Sequence, residues 1–358
     1  MEHIISSQVM HHLEDNQILY EWQHGFRSKR SCETQLITLI QDLAQNISGT
    51  KFKQTDIIIT DFSKAFDKVP HKRLLYKLQY YGVNNTTLKW IESFLGNRSQ
   101  EVVLPGGKSD PVPVESGVPQ GLVLGPILFL IYVNDLPEGM TSGVRLFADD
   151  CIIYRPVKTL KDAEALQKDL KILEKWVADW LMELNPTKCK TMSVTRSPTP
   201  IVHPYTLLGH TLETEKTDYL GVSISKDLRW NKHIDTIIAK ATSTLGVLKR
   251  NLKTSRTLIK ERAYNTLVRP KVEYCSTVWD PHTQENKKKL EMVQRRAARY
   301  VCNRYNNTSS VGSMLADLGW DTLEHRRASS RMCMMYRMVH GLVAIPIENY
   351  VNSSQNSK

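Results

Sequence analysis

Three aspartates stand where short apolar segments end. Asp61 follows the β-branched run Ile57-Ile58-Ile59, and Asp149-Asp150 lie between Phe147 and Cys151. Carboxylates held at strand ends can share two divalent cations, one activating an attacking 3′-hydroxyl and the other neutralising a triphosphate, as in two-metal phosphoryl transfer. An acid pair at a hairpin tip is also what an ordinary solvated turn contains, because turns favour Asp. The spacing leaves both readings open.

The elements that must position these acids can be read from periodicity. Ile57-Ile58-Ile59 is too short and too β-branched for a helix and predicts a fully buried strand, with Asp61 where it leaves the core. The apolar arms Val144 to Phe147 and Cys151 to Tyr154 predict a hairpin with Asp149 and Asp150 at its tip. Helices are predicted through Leu13, from Ser31 to Ala44 (Leu36, Leu39, Ile40 and Leu43 on one face), from Leu74 to Tyr81 and from Thr86 to Leu95. A polar loop is expected at Ser48-Gly49-Thr50. Between Gln23 and Arg30, four cationic or imidazole side chains surround Phe26.

Glu101 to Leu104 and Val112 to Glu115 flank Gly106-Gly107 as a hairpin would. Pro126 to Val133 reads as a buried helix with Pro126 in its first turn. Thr159-Leu160-Lys161-Asp162 has capping-box character. It opens an amphipathic helix with Ala163, Leu166, Leu170, Leu173, Val177 and Trp180 on one face, expected to cover the sheet and to end at Asn185-Pro186. Three prolines between Ser197 and Pro204 mark the expected domain boundary, and Tyr219 to Ile224 reads as a short strand. The remainder is helical and basic, notably at Lys287-Lys288-Lys289 and Arg295-Arg296-Ala297-Ala298-Arg299, with a disordered tail expected after Asn349.

At 358 residues and 41% hydrophobic content, the chain can bury a sizeable core in two or three packed subdomains. A net charge of +11 makes nucleic acid the leading partner, although an inert basic surface carries the same charge. The six cysteines lack the paired spacing of a zinc site and suit a reducing compartment. Met1-Glu2-His3-Ile4-Ile5 is not a secretory signal, and the longest apolar run falls short of the roughly 20 residues of a membrane span. An intracellular protein with no membrane partner is expected.

Asp61-Phe62-Ser63-Lys64-Ala65-Phe66-Asp67-Lys68-Val69-Pro70-His71 resembles motif A of LINE-type (non-LTR retrotransposon) reverse transcriptases. Gly117-Val118-Pro119-Gln120-Gly121, continuing to Leu124-Gly125-Pro126, resembles their motif B, and Phe147-Ala148-Asp149-Asp150 their motif C. The three stand in the family's order. Gln23-His24-Gly25-Phe26-Arg27-Ser28 is similar to the fingers motif before motif A, Asn185-Pro186-Thr187-Lys188 to motif D and Tyr219-Leu220-Gly221-Val222 to the primer grip. Val268 to Tyr274, Val278 to His282 and Gln294 to Ala297 resemble the thumb and C-terminal region of jockey-like elements.

The resemblance implies an α+β right-hand polymerase: fingers and an antiparallel palm sheet over residues 1–200, primer-grip strand and thumb over 201–265, and a helical basic C-terminal region over 266–348. It implies RNA-directed DNA polymerisation with two Mg²⁺ ions, or Mn²⁺ as a substitute, on Asp61, Asp149 and Asp150. The partners implied are an RNA template, a DNA primer and deoxynucleoside triphosphates, in the nucleus when chromosomal DNA is the target and otherwise in the cytoplasm. Phe66 would be the aromatic gate against a ribose 2′-hydroxyl, although core packing is its ordinary role. Gln120 would touch the nascent base pair or simply serve the turn before a helix. Arg27 would hold template or triphosphate, and is otherwise a loop arginine. Lys188 would protonate pyrophosphate, and is otherwise an exposed lysine. Tyr219, Leu220 and Gly221 would form the primer grip.

Family members carry an Arg- and Pro-rich fingers segment and an endonuclease domain upstream of Glu2, so a 5′-truncated element lacking both is expected. Two rival functions use the same residues: a catalytically inactive nucleic-acid-binding remnant, and a metal-dependent nuclease. Oligomeric state is not encoded in any of these features.

Overall fold

Ile57 and Ile58 are buried because their strand, β1 (Gln54–Thr60), lies in the middle of a five-stranded sheet and is covered on both faces. The computed structural model describes residues 1–49, 54–214, 217–306 and 308–350. Thr50 of the expected polar loop and the tail from residue 351 lie outside these residues. The described residues of 1–35 and 45–214 form one compact unit, and those of 36–44 and 217–350 a second.

In the first unit, β1 pairs antiparallel on one side with β3 (Asp150–Pro156) and on the other with β4 (Lys190–Thr195). Beyond β3 lies β2 (Gly143–Phe147), and beyond β4 the two-residue β5 (Glu213–Thr214), which runs parallel to β4. The expected antiparallel sheet therefore has one short parallel edge. Its helices are α1 (Glu2–Asp15), the two ends of α2 (Cys32–Ser48), whose residues 36–44 group with the second unit, α3 (His71–Tyr80), α4 (Asn85–Leu95), α5 (Leu124–Val133) and α6 (Leu160–Asp179). Apolar on nearly every side, α5 is buried and packs on α1 and α3.

The Thr159 and Asp162 side chains close the capping box that opens α6, and Ala163, Leu166, Leu170, Leu173, Trp176 and Val177 are buried where α6 meets β3. Its end is earlier than Asn185-Pro186 suggested. α6 stops at Asp179, Trp180 is only half-buried, and Leu181 adopts a left-handed φ of 53°. The turn sends residues 182–184 back along the chain after β1: Ser63 N–H donates to Glu183 O at 2.8 Å, and Phe62 forms a bridge with Leu184.

Two hairpins also differ from expectation. Val103–Leu104 pairs with Gly107–Lys108, while Ser99–Gln100 pairs with Val112–Pro113, so Gly107 belongs to a strand and the tight turn is Pro105-Gly106. Tyr219 to Ile224 is not one strand but parts of two, β6 (Thr217–Tyr219) and β7 (Val222–Ile224). Leu220 and Gly221 turn between them with φ of 46° and 78°, the positive pair that suits a two-residue hairpin. The described residues 201–214 group with the sheet and not beyond a boundary at the Ser197 to Pro204 prolines.

The second unit is helical after that hairpin: α7 (Asn231–Asn251), α8 (Thr257–Leu267), α9 (Gln284–Cys302) and α10 (Leu323–Val339), with short helices between. α9 packs on α7, α8 and α10 through Leu290, Val293, Ala297 and Val301. Its outer face exposes Lys288, Arg295 and Arg296, while Lys287 pairs with Glu324 at 2.8 Å and Lys289 with Glu285 at 3.0 Å. Arg327, buried at 1% exposure, donates to Asp280 at 2.7 Å, which explains the acid in the Val278 to His282 segment. No helix among the described residues is long and apolar enough to cross a membrane.

One charge in the first core is testable. Lys77 is 2% exposed, donates to Asp135 and to the Tyr132 carbonyl, and its Nζ lies 3.6 Å from the centre of the Trp180 ring. Burial pushes its pKa down to about 8, partly opposed by Asp135. The fold therefore binds fewer protons than the unfolded chain between pH 8 and 10.5, and stability should rise with pH across that window. Urea unfolding should show this slope in the native protein and its loss in Lys77→Met. Asp135→Ala, which strands the ammonium, should cost about 3 kcal/mol near neutral pH.

Candidate active site

The register of the sheet places the three acids at one edge, near enough for their charges to act on one another. Thr60, the last residue of β1, pairs with Cys151, so Asp61 emerges beside Asp150, where adjacent strands are about 5 Å apart. Phe147 pairs with Asp150, which leaves Ala148-Asp149 as a two-residue turn at the hairpin tip, with Ala148 at a left-handed φ of 56°. The early end of α6 completes this rim. Asn185 N–H donates to Asp61 O at 2.8 Å, Asp61 N–H donates to Cys189 Sγ at 3.3 Å, and Lys188 Nζ stands 3.6 Å from Asp61 Oδ2.

Gathering carboxylates raises their proton affinity. Burial and the Asp61 charge push Asp149 above the usual carboxylate range, against an opposing backbone hydrogen bond. Burial and the charges of Asp149 and Asp61 push Asp150 up to about 6. Among the described residues, no three His, Cys, Asp or Glu side chains already converge as a ready-made metal cluster. The donor set nevertheless fits a hard divalent cation: all oxygen, on rigid strand ends, with accumulated negative charge that a cation would relieve.

Gln23, His24 and Gly25 form a buried brace, while Phe26, Ser28 and Lys29 are exposed. Trp22 to His24 run beside β2, with Leu146 N–H donating to Trp22 O at 3.1 Å and His24 N–H donating to Leu146 O at 2.9 Å. His24 is 1% exposed, and burial together with nearby arginines pushes its pKa down to about 3, so the ring is neutral. Arg27 is not available for template or triphosphate as expected. Its guanidinium grips both Glu14 oxygens at 2.8 and 2.6 Å and the Tyr20 carbonyl at 2.8 Å, with 6% of the side chain exposed.

Sequence reasoning overlooked Gln23 and Gly25. The Gln23 Oε1 accepts from Gly25 N–H at 2.8 Å and Ala148 N–H at 3.0 Å. A Cβ at Gly25 would meet Ala148 N at 2.4 Å, so only glycine fits beneath the acidic turn. The available signal was a single glycine among bulky polar neighbours, the first in the chain.

Phe66 lies five residues after Asp61 in a short 3₁₀ turn, Ala65–Asp67. It is half-buried, stacks on Phe129 with ring centres 4.3 Å apart and meets the edge of Phe26 at 6.4 Å. Core packing and an exposed edge coexist at this residue. Val118 N–H donates to Phe66 O and Gly117 N–H to Val69 O, both at 2.8 Å, while Gln120 Nε2 donates to Asp67 Oδ1 at 2.8 Å. A Cβ on Gly117 would meet Asp67 O at 2.7 Å, and one on Gly125 would meet Pro119 O at 2.1 Å. Gly117 lets the segment carrying Gln120 lie against the segment carrying Phe66, and Gly125 lets the start of α5 close on Pro119. Tyr219, Leu220 and Gly221 belong to the second unit, where Tyr219 is buried and Tyr274 Oη donates to Leu220 O at 3.0 Å.

Comparison with known proteins finds the model of the reverse transcriptase (RNA-dependent DNA polymerase) family matching residues 1–224. A probable RNA-directed DNA polymerase from transposon BS of Drosophila melanogaster is 27% identical over 370 aligned residues, covering 96% of this chain and 39% of that protein. The RNA-directed DNA polymerase from mobile element jockey of Drosophila funebris is 25% identical over 84% of this chain and 34% of its own length. The chain thus spans well under half of these relatives. Among solved structures, telomerase from Candida albicans in complex with a telomeric RNA fragment aligns at 14% identity and a TM-score of 0.46, covering 87% of this chain and 53% of that one.

Two outcomes follow from this geometry. Gly25→Ala should destabilise the fold by about 2 kcal/mol or more, read as a lowered midpoint in thermal unfolding, because backbone must shift to admit the methyl group. Asp150 has a folded pKa above its unfolded value of 3.8, so stability should fall as pH rises from there to about 6. Asp150→Asn should flatten that slope and gain about 1 kcal/mol at pH 7, a figure reduced for the residue's exposure. Denaturant unfolding across pH 4 to 7 checks both the slope and the gain.

Proposed function

Because the chain belongs to the reverse transcriptase (RNA-dependent DNA polymerase) family, we propose that it extends a DNA 3′-end on an RNA template, as the polymerase core of a non-LTR retrotransposon. The observation that supports this reading is the strand register, which puts Asp61 level with the Asp149-Asp150 turn at one edge of the sheet. Reverse transcriptases generally use divalent metals. In this chain Asp61, Asp149 and Asp150 would hold two Mg²⁺, or Mn²⁺ in their place, which when bound lower the charge barrier to attack on a triphosphate.

The remaining roles belong to the chain's own groups. Phe66, fixed from behind by Phe129, presents its edge where a 2′-hydroxyl would crowd it, and so favours deoxynucleotides. Gln120, held by Asp67, lies on the segment that would pass beneath the nascent base pair. Lys188, beside Asp61 and mostly exposed, would give a proton to departing pyrophosphate. In the right-hand polymerase fold, the first unit would supply fingers and palm. The second would supply the primer grip at Tyr219, Leu220 and Gly221, the thumb, and basic side chains for backbone phosphates.

A nucleic-acid-binding protein without turnover is the second reading, favoured by the commitment of Arg27 to Glu14. Primer extension on poly-rA/oligo-dT separates the two. Mg²⁺-dependent incorporation is expected, abolished in Asp149→Asn with the fold retained. Salt-sensitive RNA binding with no incorporation would select the second reading. Phe66→Val should raise ribonucleotide use relative to deoxynucleotide use on the order of tenfold, measured as the ratio of kcat/KM values.

A further inference from the structure

Gln23 is 2% exposed, and its side-chain oxygen receives two backbone N–H groups, Gly25 at 2.8 Å and Ala148 at 3.0 Å. Both partners are donors, so the atom facing them must be the amide oxygen and its orientation is settled by chemistry. Ala148 is the first residue of the turn that carries Asp149, and its φ of 56° is one that alanine adopts at a cost. A two-residue turn in that conformation needs something to hold it. Its neighbours on the strand side are already engaged, since Leu146 exchanges backbone hydrogen bonds with Trp22 and His24. The backbone of Gly25 closes the space on the other side, leaving no room for a methyl group.

We propose that Gln23 is a positioning residue for the acidic turn: by accepting the Ala148 N–H it holds Ala148-Asp149 in the strained conformation that aims Asp149 toward Asp61. This deepens the polymerase reading and rests on it. Gln23 does not touch substrate, and its effect passes through one backbone amide. The hydrogen bond is buried, so losing the acceptor leaves the Ala148 N–H unpaired beneath the turn, which would relax to satisfy it.

The direct measurement is amide exchange at Ala148 in the full chain labelled with ¹⁵N-alanine, and it requires no turnover. Slow exchange is expected in the native protein. Exchange as fast as a free turn amide would overturn the proposal without any variant. Gln23→Met keeps the side chain's length but lacks the oxygen. It should accelerate Ala148 exchange at least tenfold, while alanines elsewhere, such as Ala163 in α6, keep their rates. In primer extension the same variant should lower kcat by roughly tenfold to a hundredfold with KM for the nucleotide unchanged. A proportional loss of global stability with uniform acceleration of all amides would reduce Gln23 to a packing residue and overturn the assignment. If the native chain fails to extend a primer, the polymerase reading fails, while the exchange result still decides the role of Gln23.

Discussion

The acidic turn depends on a contact between two backbones. Gly25 lies so close to Ala148 that a single added carbon would collide with the peptide nitrogen, and the Gln23 side chain bonds to that same nitrogen. On the other side, pairing of Thr60 with Cys151 sets which residue of the chain after β1 comes level with the turn. A slip of one residue in that register would turn Asp61 away from the rim and the Ile57-Ile58-Ile59 side chains with it. The buried strand and the site are therefore specified by the same pairing.

Holding carboxylates together is unfavourable in the absence of a cation, and the raised proton affinities of Asp149 and Asp150 express that cost. The fold offsets it in places remote from the chemistry. α5 is buried almost completely, α6 lays an apolar face on β3, and Asp56 in the middle of the sheet accepts from Tyr205 at 2.6 Å and Gln54 at 2.8 Å. A rigid scaffold of this kind can tolerate a locally strained turn such as the one at Ala148. Arg27 contributes to the same scaffold, since its guanidinium ties α1 to the brace that supports the turn.

Much of this was readable from residue patterns, and the reasons are local. The β-branched run predicted β1, the Phe147 to Cys151 letters predicted the acidic hairpin, and Thr159 with Asp162 predicted the start of α6. The end of α6 was not readable, because what stops it is the pairing of Phe62 with Leu184, a contact between segments more than a hundred residues apart. Arg27 was misread for a related reason: a cationic letter looks the same whether it faces solvent or a partly buried glutamate. The Tyr219 to Ile224 segment was read as one strand because Leu220 is an unusual residue for a positive φ, which concealed the hairpin turn.

The central claim is that Asp61, Asp149 and Asp150 act as one cation-binding rim. Mn²⁺ binding to the full chain with primer, template and a deoxynucleoside triphosphate, followed by electron paramagnetic resonance, tests it most directly. Two bound ions close enough to couple magnetically are predicted in the native protein, with the coupled pair lost in both Asp61→Asn and Asp149→Asn. Equal binding in the native chain and in either variant would contradict the account.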